Sequence, residues 1–357
     1  MVPLFGRPVM EHMIERLERC GFTDIGVTLS HLAKDVVTYF GGGSRWGVHL
    51  QYSIEDAPLG TAGSVKLIRR SLRDTFLVVC GDAVTDIDLR AAYRHHKRKG
   101  AKVTIILHRV ADPSPFGVVQ TERDGRVVSF VEKPMPGTAV GNTVNTGMYI
   151  VEPEVLDLVP DGEMFDFARH LFPKLLVRGE PFYGYRPRGY WCDVGNLGQY
   201  RTVHYDALSG HLNIDVPARQ VAERGWMGPG VEIAPSARLA EPFYIGEGVR
   251  VGQEARVGMY SIVGERSVVE DGATVQASIL WPSSQVGRNA RVQGCIVGGG
   301  NAIDPGAALC DTAVIRDNGS LSLRAAIGSA VTGLVTGMTN WFTWSDLART
   351  DRRRQAA

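Results

Sequence analysis

From Ile233 an aliphatic side chain returns at every sixth residue, through Leu239, Ile245, Val251, Val257, Val263, Val269 and Val275, and Gly246, Gly252, Gly258 and Gly264 each follow one of them. A period of six matches neither an amphipathic helix nor a two-residue alternation, so each hexad is predicted to be one short strand plus a corner. The aliphatic residue points inward, and the residue after it, often Gly, is expected to take the tight or positive-φ backbone of the corner. Repeats of this kind bury their apolar faces only against one another, as in a parallel β-helix. The pattern slips at Trp281 and Pro282, resumes at Val286 and Val292, and fades after Leu309. The β-helix is therefore set at residues 226–310. Residues 311–357 are left as a tail, and its end, RTDRRRQAA, reads as solvated and charged.

The chemistry then falls to residues 1–222, where helix and strand signals alternate at the spacing of βαβ units. Helices are expected over 8–20, 31–40, 62–72 and 87–99, and apolar strands over 24–30, 48–54, 75–82 and 102–108. Buried strands between helices predict an α/β, Rossmann-like, doubly wound and mainly parallel sheet, which binds ligands at the carboxyl ends of its strands. A hairpin follows, 116–122 with 127–133 across Asp124 and Gly125, then a strand over 145–151. The helix Asn196 to Leu208 is expected to close this domain. The glycines at 41–43 end a helix and read as a C-cap and loop more simply than as an anion cradle.

Net charge is +1, so no global field argues for nucleic acid or an anionic membrane. The five cysteines are scattered, odd in number and without a CxxC pair, which argues against a zinc knuckle or a disulfide framework and for a reducing cytoplasm. Ala325 to Met338 is too short and too rich in Gly and Thr to span a bilayer and reads as surface helix or disorder.

Asp82 follows Gly81 at the end of an apolar run, and Asp193 lies between aromatic and glycine positions in GYWCDVGN. Taken singly, each is as simply a cap or a solvated loop acid. Taken together, they could hold one Mg²⁺, which needs only one or two carboxylates and fills its other positions with phosphate and water. In FVEKP, strand alternation sends Glu132 and Lys133 to opposite faces, and Pro134 stops the ladder. From spacing alone that pair is equally a surface ion pair. Gly60, Gly63, Gly117 and Gly147 offer close backbone approach to a ligand, or simply turns.

PLGTAG (58–63), FLVVCGDAVTDIDL (76–89), FGVV with FVEKP (116–134), NTGMYI (145–150) and YWCDVGN (190–196), in that order and ahead of hexapeptide repeats, resemble the sugar-phosphate nucleotidyltransferases. The resemblance is closest to the mannose-1-phosphate guanylyltransferases and covers about residues 1–310. It implies a left-handed β-helix. It also implies transfer from a nucleoside triphosphate, GTP first among candidates, to a sugar 1-phosphate such as mannose 1-phosphate, with Mg²⁺ as cofactor and no covalent nucleophile. Residue by residue it implies Asp82 and Asp193 as metal ligands and Asp82 and Lys133 as catalytic groups. Leu59, Gly60, Thr61 and Gly81 would line the nucleotide, and Gly117, Glu132, Lys133 and Asn145 would grip the sugar phosphate.

Some such enzymes carry a second, acyltransferase site with a histidine base in the hexapeptide domain. All nine histidines here lie at or before His211, so the solenoid is expected to pack, to bind a regulator, or to assemble a homo-oligomer, which the front domain could also do. Relatives also open with a strand and a GGxGTRLxPLTxxxPKP-like loop, and this chain starts where that signature ends. Little transferase activity is therefore expected of it alone, from a start codon placed too far downstream or from a truncated gene. Reading the roughly 25 codons before Met1 separates these, a length set by one strand, loop and turn. The alternative reading is a non-catalytic regulatory subunit of the same architecture.

Overall fold

The computed structural model describes residues 1–30, 33–135, 137–317 and 320–326. It resolves into two compact units: Met13–Asp193, and Met1–His12 together with Val194–Ala357.

In the first unit the strand Val103–Arg109 sends Val103, Ile105 and Leu107 into one apolar cluster and Ile106 into another, so the sheet is covered on both faces as the continuous apolar run requires. The sheet order is Phe182–Tyr185, Val103–Arg109, Thr143–Val151, Gly117–Thr121, Val127–Glu132, with Phe76–Val78 also on Thr143–Val151. Phe182–Tyr185 runs parallel to Val103–Arg109, and Asp24–Leu29 parallel to His49–Ile54. Thr143–Val151 runs antiparallel to all three of its neighbours, which makes the α/β fold mixed in its pairings. The expected helix over 62–72 is Gly60–Leu67 followed by a single 3₁₀ turn, Arg69–Ser71. The helix Leu89–Lys99 starts on Asp88, which accepts from the Ala91 N–H at 2.9 Å, and stops at left-handed Gly100. Gly41 and Gly43 carry positive φ just past the helix Ala33–Phe40, as expected for a cap.

In the second unit the hexads form a parallel β-solenoid of three stacked sheets, with Ile245, Val251, Val257, Val263, Val269 and Val275 among its buried core. The corner chemistry differs from expectation. Positive φ falls two residues after the glycines, at Gly248, Glu254, Tyr260 and Arg266, and not on Gly246, Gly252, Gly258 or Gly264. Three of those glycines are there because the next layer passes too close for a side chain. A Cβ would stand 2.6 Å from the Glu265 nitrogen at Gly246, 2.8 Å from the Asp271 nitrogen at Gly252, and 2.6 Å from the Leu280 oxygen at Gly264.

The slip near Trp281 is a shorter coil. Ile245 pairs with Val263, eighteen residues on, whereas Val263 pairs with Leu280, seventeen on. Because Val257 still pairs with Val275 at eighteen, the missing residue belongs to the corner after Val275, ahead of Trp281. A further correction concerns the C-terminal end of the solenoid. Thr312–Asp317 and Ser320–Ala326 form an antiparallel hairpin that extends the solenoid sheet, where a tail was expected. The rest of that tail, and of the segment to Met338, lies outside the described residues. The helix Leu197–Leu208, expected to close the front domain, groups by its contacts with the solenoid unit. Its Tyr205 hydroxyl donates to the Ala277 carbonyl at 2.5 Å, and its Tyr200 ring meets Trp281 edge-on.

Candidate active site

Asp82 and Asp193, 111 residues apart, become neighbours through one short strand pair. The chain leaves Phe76–Val78, turns at Gly81 and Asp82, and forms Ala83–Thr85, which pairs antiparallel with Trp191–Asp193 so that Asp193 faces Ala83. Asp82 therefore ends a turn, not the longer strand expected. The side chains beneath fix this register: Ala83, Val84 and Trp191 are buried. The Thr85 hydroxyl donates to the Tyr190 carbonyl at 2.7 Å, and the Tyr190 N–H donates to the Asp86 carboxylate at 2.6 Å.

Electrostatically the pair is under-neutralised. Burial raises Asp193 to about 6, the Asp82 charge adds to that, and Lys133 opposes it. Asp82 is also raised by burial, against a backbone hydrogen bond that lowers it. Its residue keeps solvent contact at the rim, which moderates the effect. Confinement, followed by the two carboxylates, pushes the nearby Cys80 thiol up to about 12. A half-buried carboxylate raised further by a second one beside it is a setting that a cation would relieve, and Mg²⁺ would fit because water and phosphate complete its shell. Among the described residues no cluster of three or more metal-binding side chains exists.

Glu132 and Lys133 do not diverge as alternation predicts. Lys133 leaves the strand Val127–Glu132 in the left-handed region, at φ +45, and both residues line one cavity of about 440 Å³ with Phe130, Ala168, Arg169 and Pro173. Gly117, opposite Glu132 in the hairpin, is glycine for a specific reason: a Cβ there would stand 2.7 Å from the Glu132 carboxylate and 2.6 Å from the Phe130 ring. Burial raises the Glu132 pKa, while Lys133 and Arg169 draw it back. Arg169 is a cation that sequence reasoning missed. It sits in a single π-helical turn, Phe167–Leu171, and no motif in the sequence set it apart.

Leu59, Gly60 and Thr61 meet protein. The Leu59 carbonyl accepts from the Phe165 N–H, the Phe165 carbonyl accepts from the Ala62 and Gly63 N–H groups, and the Thr61 hydroxyl donates to Asp166 at 3.1 Å. Cβ atoms at Gly60 and Gly63 would lie 2.9 Å from the carbonyls of Phe165 and Glu163. These glycines thus admit the 163–166 backbone, which carries the chain on to Arg169. Asn145 is oriented by its own strand: its amide donates to the Tyr149 hydroxyl at 3.0 Å and accepts from the Gly147 N–H at 2.9 Å. Gly147, at φ +75, leaves room for the Cys80 sulfur. Every one of these candidate residues lies within Met13–Asp193. Among the described residues no helix is long and apolar enough to cross a membrane.

Comparison with known proteins bears on this arrangement. The family model for nucleotidyl transferases matches residues 1–210, and that for the GMPPB C-terminal domain matches 239–332. A UTP–glucose-1-phosphate uridylyltransferase of Synechocystis is 35% identical over 329 residues, covering 87% of this chain and 84% of that protein. A mannose-1-phosphate guanyltransferase of Debaryomyces hansenii is 34% identical over 336 residues, 92% and 88% of the two chains. The mannose-1-phosphate guanylyltransferase of Mycobacterium tuberculosis is 32% identical over 259 residues, 67% and 71% of the two chains. Among solved structures, HddC from Yersinia pseudotuberculosis complexed with GMP-PN superposes with a TM-score of 0.50 at 25% identity, over 57% of this chain and 87% of that one. A Bacillus anthracis protein assigned as a glucose-1-phosphate thymidylyltransferase gives 0.53 at 24% identity, over 60% and 87%, which speaks for the fold alone.

Proposed function

The chain belongs to the nucleotidyl transferase family as a sugar-1-phosphate nucleotidyltransferase, and on that premise we propose that it joins GTP to mannose 1-phosphate, giving GDP-mannose and pyrophosphate. The observation that carries the reading is the pairing that sets Asp193 beside Asp82, with Lys133 electrostatically coupled to Asp193 and to Glu132.

The reaction brings two anions together. A phosphate oxygen of the sugar attacks the α-phosphorus in line, the bond to the β-phosphate breaks, and pyrophosphate leaves, so the protein mainly positions groups and offsets charge. Glu132 accepts hydrogen bonds from sugar hydroxyls, with Asn145 and the Gly117 backbone completing that grip. Lys133 brings its ammonium to the phosphate, and Arg169 adds a second positive group in the same cavity. Asp82 and Asp193 would hold Mg²⁺, which when bound would offset negative charge on the phosphates. Leu59, Gly60, Thr61 and Gly81 form the side toward the nucleotide. The match to the GMPPB C-terminal domain and the guanylyltransferase relatives support GTP and mannose. The Synechocystis relative supports a second pair, UTP and glucose 1-phosphate.

Pyrophosphate release by this chain and by one extended through the codons before Met1, measured with GTP, UTP, ATP and dTTP against mannose and glucose 1-phosphates, tests the choice. The expected result is a preference for GTP with mannose 1-phosphate, and at least a hundredfold loss in Asp82→Ala, the scale typical of removing one charge-stabilising group. Preference for UTP and glucose would overturn the guanylyl assignment. Binding of GDP-mannose with no turnover of any pair would favour a regulatory subunit.

A further inference from the structure

Lys133 is the one non-glycine residue of the Met13–Asp193 unit with a left-handed backbone among those described. In that region the Cβ crowds the carbonyl oxygen, and the following Pro134 narrows the choices of the residue before it. The strain is not needed for strand pairing. Gly117 and Glu132 are already paired, and the Lys133 N–H donates to the Phe116 carbonyl at 3.1 Å. What the left-handed turn changes is direction. An extended Lys133 would point away from Glu132, whereas here both line one cavity.

We propose that the strained backbone at Lys133 is a positioning device, by which the fold gives up stability to turn one ammonium onto the side of the site occupied by Glu132. Strained backbone persists only where its surroundings over-determine it, and such residues gather at functional sites. Here the surroundings are the hairpin ladder on one side and the fixed ring of Pro134 on the other. The proposal rests on reading Glu132 and Lys133 as the sugar-phosphate grip, and it yields a measurement that needs no turnover.

In the full chain without substrate, Lys133→Gly, Lys133→Asn, Lys133→Ala and Lys133→Val should melt in that descending order. Gly and Asn tolerate positive φ, whereas a β-branched side chain tolerates it least. Lys133→Gly should exceed the wild type by about 2–4 °C, the shift that a small gain in stability gives in a unit the size of Met13–Asp193. The reverse order, with Val highest and Gly lowest, is the signature of an extended backbone and overturns the proposal. In the same variants the KM for the sugar 1-phosphate should rise at least tenfold in Lys133→Gly while that for the triphosphate holds. An unchanged sugar-phosphate KM would leave the strain without a positioning role and sink the inference. Absence of sugar-phosphate turnover both in this chain and in its form extended before Met1 would defeat the functional reading, while the melting order would still decide the strain.

Discussion

At the scale of single residues the site is dominated by carboxylates held where they are costly to ionise. Asp193 has its folded pKa raised from an ordinary carboxylate value to about 6. A raised carboxyl contributes its stability fully at low pH and loses it as pH climbs through the folded value. Asp193→Asn removes that loss. The variant should therefore be more stable than wild type at pH 7.5 by roughly 1–3 kcal/mol, from a shift of about two units, with the gain shrinking toward pH 4.5. Urea unfolding at both pH values in metal-free buffer measures this, and a gap that stays constant or narrows with rising pH would refute it. The setting of Asp193 in YWCDVGN, between aromatic and glycine positions, is what made it a candidate. What the sequence could not express is that its partner is reached through a three-residue strand pair. Nor could it show that the alternation separating Glu132 from Lys133 breaks at a single left-handed residue. Arg169 was invisible for a related reason: a cation in a helical segment has no signature until the fold sets it beside a carboxylate.

At the scale of elements the hexad repeat was legible as a solenoid because one aliphatic residue per corner is enough to specify stacked inward faces. The role of its glycines was not legible, since closeness to the next coil is a property of the stack and not of the hexad. The two uses of the corner separate by mutation. Gly246→Ala forces a Cβ to 2.6 Å from the backbone nitrogen of Glu265, and overpacking against backbone should cost about 1–3 kcal/mol. Glu254 sits at φ +55, so Glu254→Gly relieves left-handed strain and should gain about 0.5–1 kcal/mol net of the entropy of glycine. Chemical denaturation of the two variants checks the pair. Equal effects, or a stabilised Gly246→Ala, would mean that the close approach is not what fixes glycine after each aliphatic. The one-residue shortening also belongs to this scale: Trp281 looked like the break because it ends the visible periodicity, yet the pairing places the change at the corner after Val275.

For the whole molecule, the two compact units and the division after Asp193 could not be read from composition, because the helix Leu197–Leu208 has the buried pattern of any amphipathic helix and could cap either unit. The candidate site, in contrast, is confined to Met13–Asp193, and this confinement makes global stability a reporter of substrate identity. A ligand that binds only the folded protein adds RT ln(1 + [L]/Kd), about 2.7 kcal/mol at a hundredfold excess over Kd. GDP-mannose should therefore raise the melting temperature more than UDP-glucose at equal concentration. The effect should be larger with Mg²⁺ present than with a chelator, since a divalent cation held by Asp82 and Asp193 would offset the cost of keeping both ionised. Asp82→Asn should erase the metal dependence while sparing part of the response to the nucleotide sugar, which Glu132, Lys133 and Asn145 are proposed to grip. Thermal melts of wild type and variant with the two nucleotide sugars, with and without chelator, resolve this. A larger shift with UDP-glucose would move the assignment to the uridylyl pair. A metal effect that survives in Asp82→Asn would detach the cation from the carboxylates proposed to hold it.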